Sequence, residues 1–363
     1  MKASAPQRYS IFSVNDHHPR LARTVPQLYE QVMKQCELSE MLGYDTFFCA
    51  EHHFHEYGVV PDPAVMLSAL AQRTRRVRLG TAISILTFHD PRRIAETYAM
   101  LDMMSGGRLV FGVGSGYLSH EFAGYDVQPA EKRDRFNENL DLVKRLMAGE
   151  TLSYRGQFSK TEKAVLNVRP HEGRVPPIYV AVLAREAAFH VGRQGNRIFT
   201  VPYASCKNFD DIGAMLAEFR KGRAEAGLEA DDDDHVFTLH TYVAESDVEA
   251  KAQCKAAYDL YVDTRLYAKK HVYEDIIANG ICLFGAVDTV AEKMCRLHDM
   301  GIRHVATMHN FGALAPALVE RSMTLFANEV MPAVASRAAA RENPHTGEHH
   351  AADRTEPLLR ARE

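Results

Sequence analysis

Short runs of apolar residues alternate along this chain with longer stretches of helical periodicity, the pattern of parallel strands joined by crossover helices. Eight runs read as strands: Tyr9 to Val14, Asp45 to Ala50, Val77 to Ile83, Arg108 to Val113, Pro177 to Ala181, Arg197 to Val201, Val236 to Val243 and His304 to Met308. Amphipathic segments separate them, and eight repeats favour a closed (β/α)8 TIM barrel over an open sheet. Helix ends are also legible. An apolar period opening at Gln27-Leu28-Tyr29 stops at Gly43, while Asp62-Pro63 and Asp90-Pro91 each set a capping carboxylate before a proline at the first helical position.

Two stretches break the repeat. Residues 151–177, with Tyr154-Arg155-Gly156-Gln157-Phe158, are too long for an ordinary connection and read as an insertion over the barrel mouth. Residues 258–286, rich in Tyr and His, are a candidate mobile lid between the seventh and eighth strands. Asp231-Asp232-Asp233-Asp234 reads as a solvated turn. One barrel domain is expected over residues 1–335, with 336–363, polar and rich in alanine, as a disordered tail.

Composition narrows the function classes. A chain of 363 residues, 46% hydrophobic, has ample material for one large core, and a net charge of −4 argues against nucleic acid or an anionic membrane as a partner. No signal peptide is visible at Met1-Lys2-Ala3-Ser4 and no apolar run is long enough to span a bilayer, so a cytoplasmic protein is expected. The six cysteines are scattered without a CxxC pair and read as buried thiols.

The chemistry concentrates after the second strand. In Cys49-Ala50-Glu51-His52-His53-Phe54-His55-Glu56 an apolar strand runs straight into titratable groups, as at the catalytic end of a β/α barrel. His52 is the candidate catalytic group with Glu51 to orient it; a buried, purely structural histidine is the alternative. His53 and His55 with Glu51 form a potential metal-binding set, but further ligands at later strand ends are not evident and no metal is expected. Gly112, Gly114 and Gly116 alternate at the end of the fourth strand, where missing side chains admit either a flat or anionic ligand or simply a crowded barrel wall. A Rossmann dinucleotide site is disfavoured, because no G-x-G-x-x-G runs into a helix. Phe12, Phe54, Phe88 and Tyr117 are candidate walls for an apolar substrate.

Several ordered motifs resemble the bacterial luciferase-like flavin-dependent monooxygenase family. They are Leu42-Gly43-Tyr44-Asp45 leading to Ala50-Glu51-His52-His53-Phe54, then Arg78-Leu79-Gly80-Thr81-Ala82, His89-Asp90-Pro91 and Leu101-Asp102-Met103-Met104-Ser105-Gly106-Gly107-Arg108. Phe111-Gly112-Val113-Gly114-Ser115-Gly116-Tyr117, Glu131-Lys132-Arg133-Asp134-Arg135-Phe136 and Phe326-Ala327-Asn328-Glu329-Val330-Met331-Pro332 continue the likeness over most of the chain. The resemblance implies reduced FMN at the C-terminal mouth, reacting with O2 through a flavin peroxide to oxygenate a small organic substrate. It assigns His52 to that chemistry, lays the flavin ring over Thr81, Ala82 and Ile83, and brings the phosphate side to Gly114, Ser115, Gly116 and Tyr117 with Arg135. After the fifth strand the family commonly carries hydroxyl residues, whereas this chain has Leu183-Ala184-Arg185; backbone amides, with Arg185, would take their place.

The resemblance further implies a separate NAD(P)H:flavin reductase as partner and is compatible with a homodimer through the early helices. Alternatives are an F420-dependent hydride-transfer enzyme of the same superfamily and a non-catalytic flavin-binding protein.

Overall fold

A computed structural model describes residues 6–266 and 270–342. The strands are β1 (Arg8–Ser13), β2 (Thr46–Cys49), β3 (Arg78–Ile85), β4 (Leu109–Gly114), β5 (Leu152–Arg155), β6 (Lys160–Ala164), β7 (Ile178–Val182), β8 (Arg197–Thr200), β9 (His235–Ala244), β10 (Leu283–Ala286) and β11 (His304–Met308). The helices are α1 (Val25–Met41), α2 (Pro63–Arg73), α3 (Pro91–Ser105), α4 (Ser119–Gly124), α5 (Lys132–Met147), α6 (Arg185–Arg193) and α7 (Pro202–Ser205). After them come α8 (Asp210–Glu225), α9 (Asp247–Thr264), α10 (Tyr273–Asn279), α11 (Val287–Asp299), α12 (Pro316–Leu325) and α13 (Met331–Glu342).

Strands β1, β2, β3, β4, β7, β8, β9 and β11 pair in that order, all parallel, and β11 returns to β1 to close the barrel. These are the eight strands read from the sequence, shifted at their ends by one or two residues. Closure buries both strand faces, so β2 and β4 are buried throughout and read as continuous apolar runs. Inside, the Phe199 ring meets Phe48 at 5.2 Å and Phe12 at 5.9 Å, edge to face, which plugs the barrel beneath its mouth.

The helix starts follow the local chemistry. Asp62 accepts from Ala64 N–H and Asp90 from Arg92 N–H, both at 2.9 Å, so the aspartates before Pro63 and Pro91 do cap α2 and α3. Thr24 and Gln27 form a capping box at α1.

Four expectations change. Residues 151–177 do not cover the mouth: β5 and β6 make an antiparallel hairpin along α5, its turn tied down by Glu138, which accepts from the backbone N–H groups of Gln157, Phe158 and Ser159. The 258–286 stretch is the end of α9, then α10 and β10, with Tyr258, Tyr261 and Tyr273 buried; residues 267–269 lie outside the described residues. β10 extends the sheet by pairing with Thr241–Ala244, beyond the part of β9 that pairs with β11, and it falls inside the stretch read as a lid. Asp234 is no solvated turn residue. It is buried, and its carboxylate accepts from His235 Nδ1 at 2.8 Å.

Residues 336–342, expected in the tail, continue α13, while 343–363 lie outside the described residues. All six cysteines are buried free thiols. Among the described residues no helix is long and apolar enough to cross a membrane.

Candidate active site

The polypeptide leaves β2 at the mouth of the barrel, where Ala50 N–H still donates to Ser13 O at 3.1 Å. Glu51 and His52 line a cleft of about 380 Å3. Its walls come from the ends of β1, β3, β7, β8 and β11, from the loop after β4 and from one face each of α5 and α6.

His52 is held by a residue that sequence reading missed. Its Nδ1 lies 3.3 Å from Glu121 Oε1 on α4, and the same oxygen accepts from the His53 backbone N–H at 3.0 Å. Burial draws the His52 pKa below its ordinary value of 6.5, and the hydrogen bond to Glu121 opposes that without overcoming it. The imidazole is therefore neutral near pH 7. With Nδ1–H committed to the carboxylate, Nε2 carries the lone pair and is the nitrogen left for the cleft.

Glu51 does not orient His52, contrary to expectation. Its Oε1 receives His53 Nε2 at 2.9 Å and His89 Nε2 at 2.8 Å. Burial pushes the Glu51 carboxyl up, but the hydrogen bonds from His53 and His89 outweigh it and hold the pKa below the carboxylate norm. His89 moves the opposite way: burial opposes its charge, and Glu51 more than restores it.

Of the three residues expected under a flavin ring, two face the cleft. Ala82 and Ile83 line the cleft, the peptide bond between them is cis, and the β3–β4 register shifts between Thr81 and Ser84. Thr81 itself is buried beneath, its hydroxyl donating to Gly112 O at 2.6 Å. Gly114 lies at the end of β4 and is not a lining residue, whereas Ser115, Gly116 and Tyr117 are. Gly116 has φ of 73°, the left-handed region that favours glycine, and a Cβ there would press on the Ile85 and Phe88 side chains at 3.0 Å and 3.3 Å.

The two expected arginines turn elsewhere. Arg135 pairs with Glu131 at 2.9 Å and stacks 4.4 Å over Phe158, facing the β5–β6 hairpin; Arg185 pairs with Asp211. Neither lines the cleft. Lys132 and Arg133 do, on the face of α5 that also presents Phe136 and Asn137. Helical spacing carried that signal, since Arg135 shares a face with Glu131, four residues earlier, and Lys132 with Phe136.

Leu183 and Ala184 line the cleft at the start of α6, and Ala184 is an N-cap without a side-chain hydrogen bond. The first N–H groups of α6 thus have no N-cap side-chain acceptor, and Lys132 and Arg133 line the same cleft. Of the candidate aromatic walls, Phe12 and Tyr117 line the cleft, Phe54 is 61% exposed and Phe88 belongs to a second cavity.

The family model "Luciferase-like monooxygenase" matches residues 8–304. A curated relative, the oxygenase component of a flavin-dependent trigonelline monooxygenase from Acinetobacter baylyi, is 27% identical over 67% of this chain and 67% of its own length. An F420-dependent glucose-6-phosphate dehydrogenase from Microbacterium testaceum is also 27% identical, over 83% of this chain and 92% of its own. The first curated relatives are matched over only 62% and 56% of their lengths. Among solved structures, the monooxygenase RslO1 from Streptomyces bottropensis superposes with a TM-score of 0.81 at 28% identity, covering 90% of this chain and 99% of that one. The barrel, the mouth cleft and the matched 8–304 segment together lead to one statement: the chain belongs to the luciferase-like monooxygenase family.

Proposed function

We propose that this protein is the oxygenase of a two-component system, taking reduced FMN from a separate NAD(P)H:flavin reductase and using O2 to oxygenate a small apolar organic substrate. The observation that carries this reading is the convergence, in one cleft, of His52, the Ala82–Ile83 platform, the uncapped start of α6 and two cationic residues of α5. These residues fit a flavin mononucleotide. An aromatic ring system takes the apolar platform, and a phosphate takes the α6 N–H groups with Lys132 and Arg133.

When bound, reduced FMN would supply the two electrons with which O2 is split between substrate and water. The chain's own part is positional. Glu121 fixes the His52 ring, so that Nε2 can accept a proton in the cleft and return it. Phe12, Val14, Phe199, Val201 and Met308 line the remaining space, and such a surface favours an apolar substrate and excludes water. The relative named an oxygenase component supports the reductase partner. No dinucleotide-binding motif is visible in the sequence to do that work within this chain.

The test is to titrate the purified protein anaerobically with reduced FMN and, separately, with reduced F420, then admit oxygenated buffer and follow the cofactor spectrum and O2 uptake. Tight binding of reduced FMN with O2 consumption is expected. Binding of F420 alone, without O2 uptake, would replace the reading with hydride transfer, in line with the F420-dependent relative.

A further inference from the structure

A second cavity of about 660 Å3 lies between α2 and α3, lined by Asp62, Ser84, His89 and Tyr98 among others, and Glu51 lines both this cavity and the cleft. At that shared wall, one atom each of Glu51, His53 and His89 lies within 4.8 Å of the others. We propose that Glu51, His53 and His89 form a binding site for a divalent cation of the Zn2+ class, opening onto the cavity between α2 and α3. The inference is independent of the flavin reading.

The chemistry of the set argues for it. Two imidazole nitrogens and one carboxylate oxygen make the N2O donor set that borderline cations prefer, and it leaves a position for water. With both rings neutral the set carries one negative charge, and Glu51 and His53 are almost wholly buried, so the charge is poorly screened. His53 is also oriented as a ligand would be. Its Nδ1 lies 3.1 Å from Tyr125 Oη, which can accept Nδ1–H once a cation takes the place of the Nε2 proton now directed at Glu51.

Space allows it too. Ligand bonds of about 2.1 Å in a tetrahedral arrangement set donor atoms about 3.4 Å apart. The present spacings of 2.8 Å and 2.9 Å must widen by roughly half an ångström for such a cation. His89 can supply that movement, since its side chain is 26% exposed at the cavity edge. Imidazole and carboxylate ligands must be deprotonated to bind, so Zn2+ competes with protons and binding tightens as pH rises. The pair singled out by sequence, His53-x-His55, is not the one assembled: the His55 ring lies tilted against Tyr57, centroids 4.4 Å apart, and against His120 at 5.5 Å, outside the triad.

The experiment is Zn2+ titration of EDTA-treated, dialysed protein against a chromophoric chelator at two pH values, with elemental analysis after gel filtration. One Zn2+ per chain is expected, bound more tightly at the higher pH. His89→Ala and Glu51→Gln should each weaken binding at least about 100-fold, Tyr125→Phe about tenfold, and His55→Ala should change nothing. Because a variant can fail to fold, Co2+ substitution of the unaltered protein provides a second readout through its visible ligand-field bands. No stoichiometric metal in the unaltered protein, or loss in His55→Ala equal to that in His89→Ala, overturns the proposal.

Discussion

Glu121 Oε1 holds two donors of one loop at once, His52 Nδ1 at 3.3 Å and His53 N–H at 3.0 Å, although 69 residues separate the ring from the carboxylate. A buried carboxylate with two donors defines the direction of the imidazole and its tautomer together. Glu121, rather than Glu51, is the positioning residue for His52.

Replacing Glu121 by Gln tests this. Glu121 opposes the burial that depresses His52, so its removal should lower the His52 pKa further below 6.5. A base works above its pKa, and the acid limb of turnover should move to lower pH while the maximal rate falls about 10- to 100-fold. An NMR titration of the His52 ring checks the shift apart from activity; a pKa that rises would refute the assignment.

The barrel wall next to the platform tolerates no added carbon. A Cβ on Gly112 would come 2.0 Å from Thr81 O, a backbone atom that cannot swing away, and would break the seating of the Thr81 hydroxyl on Gly112 O. Gly112→Ala should cost about 3 kcal/mol in urea unfolding. An unchanged midpoint would mean that β3 and β4 separate more easily than their pairing implies.

His240 is wholly buried against Tyr203, Tyr258, Tyr261 and Phe311, and among the described residues neither ring nitrogen has a hydrogen-bond partner. Burial lowers its pKa to about 3, with the Arg265 charge adding to the effect. The unfolded chain therefore binds a proton that the folded one refuses, and stability falls as pH drops from 6.5 toward 3, by about 1.4 kcal/mol per unit for this group. His240→Leu should remove one proton's worth of that slope. Urea melts at pH 7 and pH 5 would show it; equal slopes in both proteins would place the charged imidazole in the folded state.

The arginines of α5 should separate by face. Arg133→Ala is expected to weaken FMN binding by about 10- to 100-fold, the worth of a charge-assisted contact, and to leave riboflavin binding nearly unchanged. Arg135→Ala should alter neither. Fluorescence titration with the two flavins decides, and a loss confined to Arg135→Ala would restore the assignment made on sequence.

What the sequence determined by itself is what local periodicity encodes. All eight barrel strands, the Asp-Pro helix starts and the placing of Glu51, His52, Ala82, Ile83 and Ser115–Tyr117 at one mouth were legible, because a parallel barrel buries its strands on both faces and sends every strand end the same way. Tertiary structure decided which groups meet. Glu51 and His52 are neighbours in sequence, but their side chains leave the loop in different directions, one to His53 and His89 and the other to Glu121. Long-range pairing of that kind has no sequence period. The hairpin of 151–177 shows the same limit, since its length marked an insertion while only the contacts of Glu138 fixed where it lies. So does Arg135, whose charge invited a ligand role that its helical face, turned to Glu131 and Phe158, does not allow.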